Sequence, residues 1–184
     1  MIEMAIYGVA VSQVNYQRVV ILKEKDADLY LPIWIGPAEA NAIAVKIEGV
    51  AVPRPLTHDL LAAVIGALEA TVKSVIISEL KDEIFYAKII LEAKSKQTEV
   101  DSRPSDALAL AVRAEVPIFA DEAVLEKAGL ALDKETGMPV PPGQGPERRG
   151  KKQVTEGELR RMSAFTDFIK TLDMDDIDQG RGDK

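Results

Sequence analysis

Two short stretches concentrate the chemistry of this chain. Residues 101–106 read DSRPSD, two carboxylates, a guanidinium and two hydroxyls ahead of the apolar run ALALAVRA. Residues 54–59 read RPLTHD and hold the only histidine, His58, beside Thr57 and Asp59, with Arg54 just upstream. Each stretch opens a predicted helix. A helix start collects unpaired N–H groups and the positive end of the dipole, so two such starts brought together would make an anion-binding mouth. Arg54 and Arg103 would grip a phosphate, with Thr57 and Ser105 as hydroxyl donors. His58 is the residue type for general acid–base work near neutral pH. Asp59, Asp101 and Asp106, with Glu39 as a further carboxylate, could hold a divalent cation such as Mg²⁺, Mn²⁺ or Ca²⁺ that polarises a phosphodiester. Transferable chemistry requires the two stretches to lie within about 15 Å of each other.

Simpler roles compete at each position. Pro104 suits the first helical position and Asp106 the dipole. Arg103–Asp106 is an ordinary i,i+3 pair, and Thr57 is a good N-cap. Helix initiation leaves Asp101 and Arg103 unexplained. No nucleophile elbow, phosphate-binding glycine loop, dinucleotide fingerprint or HExxH is present, and an acyl-transfer triad lacks a serine partner for His58.

The elements that must carry these residues read as a mixed pattern. Strand-like runs EMAIYGVAVSQ, QRVVILKE and LYLPIWIG come first. A helix starts at Pro37, with Ala40, Ile43, Ala44 and Ile47 on one face. A second starts near Thr57, with Leu61, Val64, Ile65 and Leu68 on one face. Strands return as VKSVIISEL and EIFYAKIILEA around a turn at Lys81 and Asp82, then TEVDS, a helix from Pro104, and a last strand PIFA. GPAEANAIAVK (36–46) aligns with RPSDALALAVR (103–113), matching Pro37 with Pro104, Glu39 with Asp106 and Lys46 with Arg113. A strand–strand–strand–helix unit thus occurs twice, and two such units must share one core. In the first copy Trp34 and Gly36 stand where the second has Asp101 and Arg103.

The domain is read over 1–130. Residues 131–152, with four prolines and four glycines, read as a linker, and 153–184 as a tail with one amphipathic helix through Leu159, Met162, Phe165, Ile169 and Leu172. The chain has no cysteine, which excludes disulfides, a thiol nucleophile and cysteine-ligated metals. No basic leader or bilayer-length apolar run is present, so a cytoplasmic protein without a membrane partner is expected. The net charge of −7 works against a generally basic nucleic-acid surface and leaves only a local one.

The stretches LPIWIGPAEANAIAVKIEGVAVPRPLTHDLL (31–61) and VDSRPSDALALAVRAEVPIFADEAVL (100–125) resemble the bifunctional nuclease domain family over roughly residues 3–128. The resemblance implies an α+β fold, a duplicated unit whose mainly antiparallel sheet curls toward a barrel with helices packed on it. It implies a homo-oligomer, most simply a dimer, and hydrolysis of RNA and DNA. No organic cofactor is expected. The family pattern covers Glu39, Arg54, Thr57, His58, Asp59, Asp101, Arg103, Ser105 and Asp106. The alternative reading is a non-catalytic module that binds an anion, a nucleotide or a protein; an oligomer scaffold ranks last.

Overall fold

A computed structural model describes residues 1–11, 17–132, 139–140, 162 and 166. Among the described residues, nine strands form one sheet in the order β6-β5-β4-β7-β1-β2-β3-β8-β9. The first meander comprises β1 (Ile2–Val11), β2 (Arg18–Glu24) and β3 (Leu29–Ile35), and leads into α1 (Pro37–Ile47). After α2 (Thr57–Ala67) the second comprises β4 (Ala70–Lys81), β5 (Ile84–Ala93) and β6 (Lys96–Ser102), and leads into α3 (Pro104–Ala114). The repeat read from the sequence is therefore present as two equivalent units, with α2 between them. The sheet is mostly antiparallel and curled but not closed.

A three-residue strand joins the halves. In β7 (Ile118–Ala120) Ile118 faces Met4 of β1, antiparallel, and Val75 of β4, parallel. The Val75 N–H donates to Pro117 O, and the Asp121 N–H donates to Ile77 O, extending the seam at both ends. The second meander turns tightly without glycine. Asp82 and Glu83, then Lys94 and Ser95, all have positive φ. Each pair closes a two-residue hairpin, since Lys81 pairs with Ile84 and Ala93 with Lys96. Positive φ at both central residues matches the right-handed twist of the flanking strands.

One core lies between the sheet and the helices. Alternate residues of β4 and β5 face inward, among them Val75, Ile77, Ala87 and Ile89, while Lys88 faces solvent. On these packs α3, with every residue from Pro104 to Ala111 except Asp106 buried. It is buried almost all round because α1 and α2 flank it above the sheet. Its alanines at 107, 109 and 111 permit that close approach.

The sheet and helices continue past the segments read from the sequence. After β7 comes α4 (Glu122–Ala128), capped by the Asp121 carboxylate, which accepts from the Ala123 N–H at 2.9 Å. Leu130–Leu132 forms β8 against β3, and Pro139–Val140 forms β9 against β8. All of β9, and β8 apart from Leu130, lie in the stretch expected to be linker, so the sheet continues past residue 130. The rest of that stretch lies outside the described residues. Of the tail, Met162 packs beside Val19, Ile21, Tyr30 and Leu130. Met162 and Thr166 are helical, and the Thr166 hydroxyl donates to Met162 O at 2.8 Å; the other residues of the expected tail helix lie outside the described residues.

The apolar face expected on α2 is only half used. Leu61 and Ile65 pack on the core, whereas Leu60, Val64 and Leu68 are 60%, 47% and 73% exposed. Leu108→Ala should lower stability by about 3 kcal/mol through cavity formation. Leu60→Ala should cost under about 0.5 kcal/mol. Urea midpoints at unchanged slope measure both.

Candidate functional site

The site is built where three helices begin. Strand β6 ends at Ser102, Arg103 takes an extended conformation as N-cap, and Pro104 and Asp106 fall in the first turn of α3. The first helix starts the same way, from Gly36, with Pro37 and Glu39 in its first turn. A Cβ at Gly36 would collide with the Glu39 carboxylate, so glycine lets that side chain fold back over the helix start. The second helix starts at Thr57 after Leu56, its N-cap. Thr57 is therefore the first helical residue, and not the cap its sequence position suggested. The capping group is the Asp59 carboxylate, which accepts from the Leu56 N–H at 2.7 Å. An acid three residues in can do this from inside the helix, and it gains from the dipole as well.

These starts converge. Arg103 donates from Nε to Asp106 Oδ2 at 2.7 Å and from Nη2 to Asp106 Oδ1 at 3.0 Å. The same Nη2 donates to Glu39 Oε1 at 2.8 Å. His58 Nε2 lies 3.1 Å from Asp106 Oδ1, which brings the two motifs, 48 residues apart, into hydrogen-bond contact. Burial pushes the pKa of Asp106 up, but hydrogen bonds from Arg103 and His58 outweigh it, and the carboxyl ends below its ordinary value. Asp106 is thus ionised at neutral pH, so His58 Nε2 is the donor. The Arg103 guanidinium is pushed further up by Asp106 and then Glu39.

Exposure separates the roles. The Arg103 side chain is 66% exposed and Nη1 has no hydrogen bond among the described residues, so a cationic donor faces solvent from a fixed mount. His58 is 7% exposed, and its Nδ1 is buried without a hydrogen-bond partner among the described residues. Ser105 is buried beneath the start of α3, and Thr57 is exposed at the start of α2.

Two expected residues stand apart from this cluster. Asp101 pairs with Lys88 across the β5–β6 ladder. Side chains alternate along a strand, so Asp101 shares the solvent face with Lys88 and Glu99, which are bonded at 2.7 Å. The helices cover the opposite face. Arg54 is exposed in the loop between α1 and α2, where it lines a groove beside the start of α2. The carboxylates at 39 and 106 do converge, but the guanidinium of Arg103 fills the space between them. Among the described residues no three His, Asp or Glu side chains form a metal-holding group. The donor set therefore does not fit a resident cation.

Sequence reasoning missed Arg113. Its side chain is 5% exposed and donates from Nε to Asp59 Oδ1 at 2.5 Å. From Nη1 it also donates to Ala42 O at 3.1 Å and Ala109 O at 2.8 Å. It thereby ties α3 to α1 and to the start of α2. The signal was its alignment with Lys46, which by itself reads as a base at a helix end. The Leu56 N–H, followed by Arg113, holds the Asp59 carboxyl below its ordinary value despite some burial.

A family model described as the bifunctional nuclease domain matches residues 20–133, more than half the chain. The chain belongs to the bifunctional nuclease domain family. An uncharacterized protein of Mycobacterium tuberculosis is 40% identical over 171 residues, covering 93% of this chain and 96% of its own. Bifunctional nuclease 1 of Oryza sativa subsp. indica is 24% identical over 124 residues, and bifunctional nuclease 2 of subsp. japonica 27% over 131. These matches cover 66% and 69% of this chain but only 38% and 40% of the rice proteins. The site cluster lies wholly inside the family match. No helix among the described residues is long and apolar enough to cross a membrane.

Asp59 and Asp106 both have depressed folded-state pKa values, so their stabilisation is complete above the unfolded value of about 4 and is lost as pH falls through the folded one. Asp59→Asn and Asp106→Asn should therefore melt several degrees below wild type at pH 7, and the gap should close below about pH 4. Melting curves from pH 7 to 2.5 measure it.

Proposed function

We propose that this chain is a nuclease that hydrolyses phosphodiester bonds of RNA and DNA at the joined starts of α1, α2 and α3. The observation that carries the reading is Arg103, an exposed guanidinium held by two carboxylates within a family named for nuclease activity. Arg103 binds a non-bridging phosphate oxygen through its open Nη1, and pays little reorganisation because Glu39 and Asp106 already fix its plane. Asp106 is ionised and partly exposed, and takes a proton from the attacking water. The water oxygen bonds to phosphorus, the bond to one ester oxygen breaks, and the departing alkoxide takes a proton from solvent.

In this arrangement His58 is a positioning residue and not the proton donor its sequence position suggested. Its Nε2–H is engaged by Asp106 and its Nδ1 is sealed from solvent. It orients the carboxylate much as an aspartate orients a histidine in a hydrolase triad, with the roles exchanged.

The test is a cleavage time course on labelled single-stranded RNA and DNA. Arg103→Ala and Asp106→Asn should each lower the rate about 100-fold or more. The thermal midpoint of Arg103→Ala should stay within a few degrees of wild type, because an exposed ion pair contributes about 0–1 kcal/mol. His58→Gln, whose amide can still donate to Asp106, should retain more activity than His58→Ala. Equal cleavage by wild type and Arg103→Ala would contradict the assignment. The assay is run with Mg²⁺, Mn²⁺ or Ca²⁺ and with chelator. Restoration by added ion would support assistance from a cation that enters with the phosphate; equal rates in chelator would speak against it.

One observation favours a second reading, a protein-interaction module of a homodimer. Leu60, Val64 and Leu68 recur at i, i+4 and i+8 and are exposed, and no charged residue interrupts positions 60–68. Such an apolar stripe fits a second copy of the chain, brought across a two-fold axis. Sedimentation should show a dimer that Val64→Asp converts to monomer; a monomeric wild type would remove this reading.

A further inference from the structure

A groove of about 440 Å³ runs beside the start of α2, outside the Glu39–Arg103–Asp106–His58 cluster. Three cations line it, Lys46, Arg54 and Arg113, against one carboxylate, Asp59. Asp59 and Arg113 neutralise each other at 2.5 Å, so the surplus charge belongs to Lys46 and Arg54. Both are exposed, and neither has an ion-pair partner among the described residues. On a chain of net charge −7, two unpaired cations on one groove are a local reversal of the field.

The duplication explains how the groove arises. Lys46 and Arg113 are equivalent positions of the two repeats, each in the last turn of its helix. Because α1 and α3 pack together, both bases reach the same place. The second copy's base is buried as scaffold and the first copy's is left free. The connection between the helices supplies the rest: Val50, Val52, Pro53 and Pro55 give an apolar wall, and Arg54 projects between the two prolines. Asp59, which follows His58 in the chain, also lines the groove, so the groove lies close to the cluster.

We propose that this groove binds one nucleotide of a single-stranded nucleic acid, on the strand flanking the phosphate held by Arg103. Lys46 and Arg54 take the backbone phosphate, and the base lies against the valine and proline wall. A strand is required because a base in a duplex is stacked and cannot turn its face to such a wall. The volume accommodates a nucleotide. The inference rests on the proposed nuclease reading for the identity of the ligand, while its own evidence is the groove.

The test is fluorescence anisotropy with a labelled single-stranded phosphorothioate oligonucleotide, which is bound without being consumed. Lys46→Ala and Arg54→Ala should each weaken binding by about threefold to tenfold, and the double variant by about thirtyfold. The slope of log affinity against log salt should become shallower by about 0.7 in the double variant, as one phosphate contact on a single strand is lost. All three variants should melt with wild type, since neither side chain has a partner to lose. A double variant that binds within twofold of wild type overturns the proposal. So does a duplex that binds as tightly as the strand, or a free mononucleotide that does. Cleavage of unmodified strand is followed in parallel. Binding that depends on the groove without any cleavage sinks the nuclease reading alone, and cleavage with groove-independent binding sinks the groove alone.

Discussion

The Asp106 carboxylate is the point on which three helix starts depend. It receives two donors from Arg103 on its own helix and one from His58 on α2, while Arg103 also reaches Glu39 on α1. Two acids near positive helix ends would repel each other if nothing lay between them. Arg103 supplies the positive charge that lets both stay ionised, and its fork geometry fixes where each helix begins. A second clamp lies at the other end of α3, where the buried Arg113 binds Asp59 and two helix carbonyls. Removing Arg113 from this buried clamp leaves Asp59 without its counter-charge at a helix junction, which is costlier than the pair is worth when intact.

This arrangement is available because the fold is duplicated. Each meander delivers its helix start to the same side of the sheet, and β7 fuses the two meanders so that α1 and α3 lie together. The copies have then diverged in complementary ways. Gly36 makes room for the Glu39 carboxylate, and its equivalent Arg103 supplies the cation that Glu39 meets. Lys46 stays at the surface, and its equivalent Arg113 becomes a buried brace. The insertion of α2 between the copies adds the histidine and the capping acid that complete both clamps.

Much of this was legible in the sequence, for identifiable reasons. Proline at the first helical position with an acid two residues later marks a helix start in any context, so α1 and α3 were read at their true beginnings. Alternation and apolar runs marked the two meanders and β7. What failed was information that tertiary contacts supply. Thr57 looks like a cap, but Asp59 reaches back and takes that role. Asp101 sits two residues before Arg103 in a polar motif, yet strand alternation turns it toward Lys88 and away from the cluster. Val64 and Leu68 look like core by periodicity and are exposed, because Leu61 and Ile65 already cover the core side of α2. Seven residues of α4 and the short strands β8 and β9 carry too little pattern to be seen beside prolines and glycines. The burial of Arg113 depends on a neighbour 54 residues away and leaves no local trace.

Because His58 is the only histidine, the central contact can be observed without assignment ambiguity. The decisive measurement is the ¹⁵N NMR spectrum of the imidazole at neutral pH, in wild type and in Asp106→Asn. The account predicts a proton on Nε2 in wild type, directly coupled to that nitrogen and protected from exchange with water, and loss of that protection in the variant. A bare Nε2 in wild type, or a signal that Asp106→Asn leaves unchanged, would contradict the contact on which the joined site is built.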